Sequence, residues 1–330
     1  TPAAVFHNQA GATLRSTTAD SLPENDMRWQ LQNDGLVEVV QGELRLQAGL
    51  VNDGVFDIKS NAEVSTFVGS IVNETNGMIN VAGTFNLSST DVFFTNHGAI
   101  VVQVGGSLPT FAGGFSNTGS LEVKEGNVVI DQTSSLSGQA GPPQPPDFNP
   151  PERGTVNATL EEGTWIAGPG VSIVFEQLIA ENASQYNAVI RDNRAHIVLD
   201  GPGSSITSAE SIEENSGTIE IRGGRNLALQ GGPVFVGRRL FDNTGTLTVG
   251  AGSTFSFPQG IASEPGSSLS GEATFEISAS ELRGTTLSSD AMLTINPYQG
   301  DGELDLLAGV NTVAAGIVNV NVPIHIHNGA

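Results

Sequence analysis

The stretch FTNHGAIVVQVGGSLPTFAGGFSNTGSLEVKEGNVVI, residues 94–130, holds two successive copies of one pattern. Each copy opens apolar-x-Asn-x-Gly, continues with alternating apolar residues, and meets a second glycine seven positions after the first: Gly98 to Gly105, then Gly119 to Gly126. In LEVKEGNVVI, Leu121 and Val123 share one parity, Val128 and Ile130 share another, and Glu122 and Lys124 point the opposite way. Strict alternation over a few residues marks a short, half-buried strand, and the glycine between the two runs marks a turn.

Working outward, the pattern recurs as LQNDGLVEVVQGELRL (31–46), VNDGVFDIKSNAEV (51–64), NETNGMINVAGTFNL (73–87), EENSGTIEIRGGRNLAL (213–229) and FDNTGTLTVGAGSTFSF (241–257). The first glycines at 35, 54, 77, 98 and 119 are spaced by 19, 23, 21 and 21 residues. The seven-residue step repeats at Gly35–Gly42, Gly217–Gly224 and Gly245–Gly252, while Asn61 stands near the expected second glycine of the 51–64 copy. One such unit cannot bury its apolar face alone, but units stacked about 4.8 Å apart build a continuous core. The expected fold is therefore all-β, a parallel β-helix (β-solenoid) with rungs of roughly 21 residues and about 12 to 15 rungs in all. Asn-Gly between strands is also a hairpin signal, and a sandwich or propeller is the alternative, but hairpins carry no fixed two-turn register.

The corner residues are Asn33, Gly35, Asn52, Gly54, Asn96, Gly98, Asn117, Gly119, Asn215, Gly217, Asn243 and Gly245. Asn and Gly both tolerate positive φ, which suits a tight corner, and stacked asparagines can form a hydrogen-bonded ladder. The only helix candidate, EQLIAENASQYNAVI (176–190), has poor spacing. Residues 1–140 read as one solenoid segment, 141–153 as a Pro-rich loop or linker within GQAGPPQPPDFNPPERG, and 154–330 as a continuation whose copies degenerate beyond Gly260.

Composition narrows the function classes. The 330 residues include 41 glycines, 35 acidic and 13 basic side chains and no cysteine, with a net charge of −22. Such a field disfavours nucleic acid and anionic membranes, and it suits the soluble coat of a repetitive rod. Without cysteine there are no disulfides, thiol nucleophiles or cysteine-ligated metals. No apolar run reaches membrane-spanning length, and TPAAVFHNQAG lacks the character of a signal peptide, so the expectation is a mature extracellular segment without membrane insertion.

No nucleophile elbow, phosphate loop or dinucleotide fingerprint is present. The weak catalytic alternative is RDNRAHIVLDG (191–201), where Asp192, Arg194, His196 and Asp200 share a parity that would line them along one strand face. His325 and His327 lie two apart near the C-terminus and would project from one face, the simpler reading being a terminal strand with outward histidines. No metal site or cofactor is expected beyond weak surface cation binding at Glu161–Glu162, Glu213–Glu214 or Asp301/Glu303/Asp305. Asn73, Asn86, Asn157 and Asn182 begin potential glycosylation sequons.

The Asn-x-Gly and Gly-Ser/Thr-apolar copies, most securely 31–130 and 213–257, resemble the repeats of bacterial surface β-solenoids of the filamentous-haemagglutinin-like and autotransporter-passenger-like kinds. The resemblance implies a right-handed parallel β-helix, export to the cell surface and work as an adhesin or scaffold. It departs from those families in its variable rung lengths and in carrying no secretion module or barrel pattern. The expected function is thus a non-enzymatic structural or adhesive subunit of a surface layer, appendage or head-to-tail filament. Its expected partners are further copies end to end and a glycan or cell-surface partner. The alternative is a carbohydrate-binding or carbohydrate-cleaving β-helix.

Overall fold

The computed structural model describes residues 4–17, 25–66, 68–87, 91–108, 110–111, 114–130, 136–139, 155–179, 184–229, 240–299, 302–307 and 311–327. The Pro-rich 141–153 stretch, Asp301 and the Asn182 sequon lie outside these residues. Strand accounts for 64% of the chain, and among the described residues the one helical element is the 3-10 turn Ala209–Ser211. Among the described residues no helix is long and apolar enough to cross a membrane.

Parallel strands stack as a β-solenoid of about 11 turns at a spacing near 22 residues. The count falls below the 12 to 15 expected from length because some turns contain long excursions. Ser120 pairs directly with Thr164, a step of 44 residues for one turn. The helix candidate is one such excursion. Ser172–Ile179 and Ser184–Asn193 are strands, paired antiparallel from Glu176↔Asn187 to Ile179↔Ser184. Val171, Ile173 and Phe175 are buried at alternate positions on the way into this stretch, the period of a strand rather than of a helix.

Contacts divide the chain into two units, one holding the described residues of Thr1–Leu136, Pro142–Val156 and Glu162–Ala188, the other those of Ser137–Gly141, Asn157–Glu161 and Val189–Ala330. In the first, a turn has three faces. The first face is made by Val5–Asn8, Gln30–Asn33, Leu50–Asn52, Gly69–Asn73, Val92–Asn96 and Phe115–Asn117, each in register with the next. The second runs through Thr13–Ser16, the start of Leu36–Leu46 and of Val55–Thr66, then Met78–Val81, Ala99–Val102, Ser120–Val123 and Thr164–Ala167. The third includes Asn25–Met27, Thr84–Asn86 and Asn127–Ile130. Ala62, not Asn61, pairs with Gly42, because a bulge beside Val39 shifts the register.

Like residues stack on like. Leu14, Val37, Phe56, Ile79, Ile100, Leu121 and Trp165 form one inward column. From Val37 onward all are buried. Phe85, Phe94, Phe111, Phe115, Trp165 and Phe175 continue as an aromatic chain with centroids 4.1 to 6.2 Å apart. The Trp165 indole N–H donates to Glu162 O at 2.9 Å, so its polar edge is satisfied inside an apolar core.

The second unit repeats the plan. Its first face runs from Asn193 through Glu214–Asn215, Phe241–Asn243, Ile261–Ser263, Ala279–Leu282 and Glu303–Leu306 to Ile324–Ile326. Its second face runs through His196–Asp200, Thr218–Arg222, Thr246–Val249, Ser268–Gly271 and the starts of Thr286–Pro297 and Thr312–Val320. The degenerate sequence beyond Gly260 therefore keeps the turn geometry.

Candidate functional site

The most ordered polar feature is the column of asparagines at the end of the first face. In the first unit Asn8, Asn33, Asn52, Asn73, Asn96 and Asn117 point inward and are at most 5% exposed. Each Nδ2 donates to the Oδ1 of the next asparagine at 2.7 to 2.8 Å. A second hydrogen reaches the carbonyl that starts the second face one turn on, as in Asn33 to Val55 O at 3.0 Å and Asn96 to Ser120 O at 3.1 Å. Each amide thus satisfies its neighbour and a corner carbonyl that stacking would otherwise leave buried and bare. The second unit has a shorter run, Asn193 to Asn215 to Asn243, at 2.8 Å per step.

All six asparagines read from the Asn-x-Gly spacing belong to these ladders, and three more do as well. Asn8 and Asn73 fall in longer corners, Asn-Gln-Ala-Gly and Asn-Glu-Thr-Asn-Gly, while Asn193 keeps the usual corner length with alanine in the glycine's place, Asn-Arg-Ala. For Asn8 and Asn73 the missed signal is the buried or half-buried apolar residue two positions earlier, Phe6 and Ile71. Asn73 is fully buried, so its sequon is closed in the folded chain. Asn86 is half-buried, with Nδ2 3.5 Å from Glu63 Oε1.

The corner glycines have a different cause from the one expected. Gly35, Gly54, Gly98, Gly119, Gly217 and Gly245 are not in the positive-φ region. Their turns approach so closely that a Cβ on Gly98 would collide with Gly77 O, and one on Gly245 with Gly217 O. The second glycine carries the conformational demand: Gly105 has φ +81° and open space around it.

Both ladders have defined ends. Leu160 takes the asparagine position before Asn193, since Arg194 N donates to Leu160 O at 2.9 Å as Thr118 N does to Asn96 O. Leucine offers no donor, and Asn193 Oδ1 is left buried without a partner. After Asn243 the column continues as Ser263, Leu282, Leu306 and Ile326. Ser263 Oγ is also buried and unpartnered. Ser267, Thr285 and Asn311 serve the corners there instead, with Ser267 Oγ 3.2 Å from Thr285 Oγ1 and Asn311 Oδ1 accepting from Thr285 N at 3.0 Å.

The outward faces carry the charge. Asp192, Arg194, His196 and Asp200 do not share one strand face, because the Asn193–Ala195 corner divides them. Asp192 ends the strand Ser184–Asn193, Arg194 sits on the corner, and His196 and Asp200 lie on His196–Asp200. They are also enclosed in ion pairs. Arg194 meets Asp192 at 2.9 Å and Glu161 at 3.0 Å, and these carboxylates hold the guanidinium firmly protonated. Arg222 meets Asp200 at 3.0 Å and Glu220 at 3.1 Å. His196 Nε2 stands 3.7 Å from Glu220 Oε2, beyond hydrogen-bond length but close enough for attraction when the ring is protonated. The His196 ring first, and the Arg222 guanidinium after it, hold the Glu220 carboxyl below the usual carboxylate range against the opposing effect of burial.

The same holds along the chain. Three of the 13 basic residues, Arg153, Arg238 and Arg239, lie outside the described residues; each of the remaining ten has a carboxylate within ion-pair distance. Of the acidic clusters, Glu161 and Glu213 are engaged by Arg194 and Arg191, and Asp305 by His327 at 3.1 Å. His325 lies on Ile324–Ile326 in register with Asp305, and both histidines are exposed. Among the described residues no group of three or more His, Asp or Glu converges as a metal site. No family model, curated protein or solved structure matches the chain.

Proposed function

We propose that the chain is a non-enzymatic extracellular solenoid, a structural or adhesive element of a surface layer, appendage or filament that associates through its ends. In this it is similar in kind to the filamentous-haemagglutinin-like and autotransporter-passenger-like solenoids its repeats resemble. The observation that carries the reading is the pairing of all ten described basic side chains with carboxylates, across turns or along one strand. Polysaccharide-cleaving solenoids need carboxylates and basic groups held open to the substrate. Here those groups neutralise one another, the excess carboxylate keeps the surface soluble, and the remaining polar order is spent on internal stacking. Any glycan or cell-surface partner would be met by the outward faces.

The test is incubation with a panel of acidic and neutral polysaccharides followed by detection of new reducing ends. None is expected. Release that disappears in Asp192→Ala would replace this reading with a carbohydrate-active one centred on residues 191–201.

A further inference from the structure

We infer that the first face of the first unit carries a binding site for a neutral glycan, centred on Phe93. This rests on the reading above, in which the outward faces meet any partner, and it names the face and the ligand class. Gln30–Asn33, Leu50–Asn52, Gly69–Asn73, Val92–Asn96 and Phe115–Asn117 lie there in register and hold no Asp, Glu, Lys, Arg or His. In a chain of net charge −22 that is a local exception. The second unit gives the contrast at the position just before the corner. Its outward column runs Asp192, Glu214, Asp242, Ala262, Glu281 and Asp305. The first unit has Gln32, Val51, Val72, Thr95 and Ser116 there.

The central ring is placed for contact with a ligand. Phe93 points outward between the buried Val92 and Phe94 and is 46% exposed. One turn on stands Gly114, where a Cβ would come within 2.9 Å of Phe93 Cδ2 and 3.0 Å of its Cε2. The ring therefore leans along the face over the next turn, in space that a side chain at 114 would fill. An aromatic face attracts the polarised C–H groups on the flat side of a sugar ring. Around it Gln30, Gln32, Ser70, Thr95 and Ser116 make no side-chain hydrogen bond among the described residues. Their amides and hydroxyls match sugar hydroxyls as donors and acceptors, without the desolvation cost of a charge. Trp29, 53% exposed, leads into Gln30–Asn33 three turns earlier and offers an extended ligand a second ring.

Other occupants fit this face less well. Its rims carry Asp34, Asp53, Glu74 and Asp91, which repel acidic glycans. A second copy would bring two such rims together. The face is also small, roughly 20 Å by 13 Å, or on the order of 300 Å² against the ~800 Å² per partner of a stable protein interface. The strands from Gln30–Asn33 to Val92–Asn96 are paired on both sides, so the sheet needs no permanent cover. A seated segment of chain would bury the unpaired amides and hydroxyls, which a sugar satisfies.

The test uses the whole chain with hexamers of β-1,4-linked glucose, α-1,4-linked glucose, mannose and galacturonate, read by saturation-transfer NMR and calorimetry. At least one neutral hexamer should bind with a Kd on the order of 1 mM, as suits a flat open face, and galacturonate should not. Phe93→Ala, at an exposed position, should keep the β circular dichroism and weaken binding about tenfold or more. Thr95→Glu sets a carboxylate on the face, as in the second unit, and should do the same. Val104→Ala removes an exposed apolar side chain from another corner and should change nothing. Failure of every neutral hexamer to bind overturns the inference. So does binding that survives both Phe93→Ala and Thr95→Glu, preference for galacturonate, or a dimer that Phe93→Ala dissolves. The reducing-end assay on the same preparations separates the two readings. A chain that neither binds nor cleaves loses the site and keeps the structural function, while one that cleaves loses that function and leaves the site to its own variants.

Discussion

The two units solve the same corner in different ways. From Asn8 to Asn117 the first unit places asparagine at every turn of its first face, whereas the second starts with Asn193, Asn215 and Asn243 and then changes to Ser263, Leu282, Leu306 and Ile326. Backbone pairing continues through both, so the asparagines are not what makes the turns stack. They are one way of filling a corner, and that way depends on the neighbour. An asparagine between two leucines would bury an acceptor with no donor, as Asn193 already does beneath Leu160. A leucine between two asparagines would break two hydrogen bonds. Each choice therefore favours the same choice one turn on, and the column divides into runs.

This comparison can be broken most sharply at the glycines. Gly98→Ala drives a Cβ into the Gly77 carbonyl and should cost about 3 kcal/mol or more. Gly284→Ala, beyond the ladder, must accept φ +58° with its nearest neighbour 3.2 Å away and should cost only about 1 to 2 kcal/mol. Equal losses in urea unfolding would mean that turn spacing is uniform in its demands and the ladder is incidental. Next in size, Asn73→Ala strands the Asn52 amide and Asn96 Oδ1 together and should cost about 2 to 4 kcal/mol. Asn243→Ala breaks only the bond from Asn215 and its own contact to Gly245 O, and should cost about half as much.

At the boundary, Ser263→Ala removes a buried hydroxyl that has no partner and should change stability by less than about 0.5 kcal/mol, in either direction. A loss above 1 kcal/mol would show that this hydroxyl matters to the corner. A further small effect concerns the outer face of the second unit. The folded carboxyl of Glu220 is held below its unfolded range, so its contribution is full above about pH 4.3 and is lost as pH falls through the lowered folded value. Glu220→Gln should therefore lower stability slightly at pH 7, by under about 1 kcal/mol in urea unfolding, and the gap should narrow as pH falls below the unfolded carboxylate range.

Much of this architecture was legible in the residues themselves. The fixed Asn-x-Gly and seven-residue glycine steps gave parallel stacking, and the parity of Leu121, Val123, Val128 and Ile130 gave their burial. What parity alone cannot carry is the length of a corner. Asn8 and Asn73 were hidden because their corners are longer than the common two-residue form while the strands before them keep their phase, and Asn193 because alanine stands where its corner's glycine would be. The same limit hid the division of Asp192 from His196, since alternation counts straight through a corner that the chain turns. The glycine of the Asn-x-Gly corners was legible in position but not in its cause, because the collision it avoids is with a residue about one turn away.

The ladder also has an electrical sense. Along the corner, backbone N–H groups donate back toward the preceding turn, as Asp53 and Gly54 do to Asn33 O. The asparagine side chains donate forward, from Asn33 to Asn52 and on to Asn117. The two columns are opposed dipoles, side by side in a medium of low permittivity, and each cancels the field of the other. From Ser263 onward the forward asparagine column gives way to single bonds, Ser267 Oγ to Thr285 Oγ1 and Thr285 N to Asn311 Oδ1. The corner peptides there are opposed only in part, so less of their polarisation is cancelled toward the turn at Ile324–Ile326.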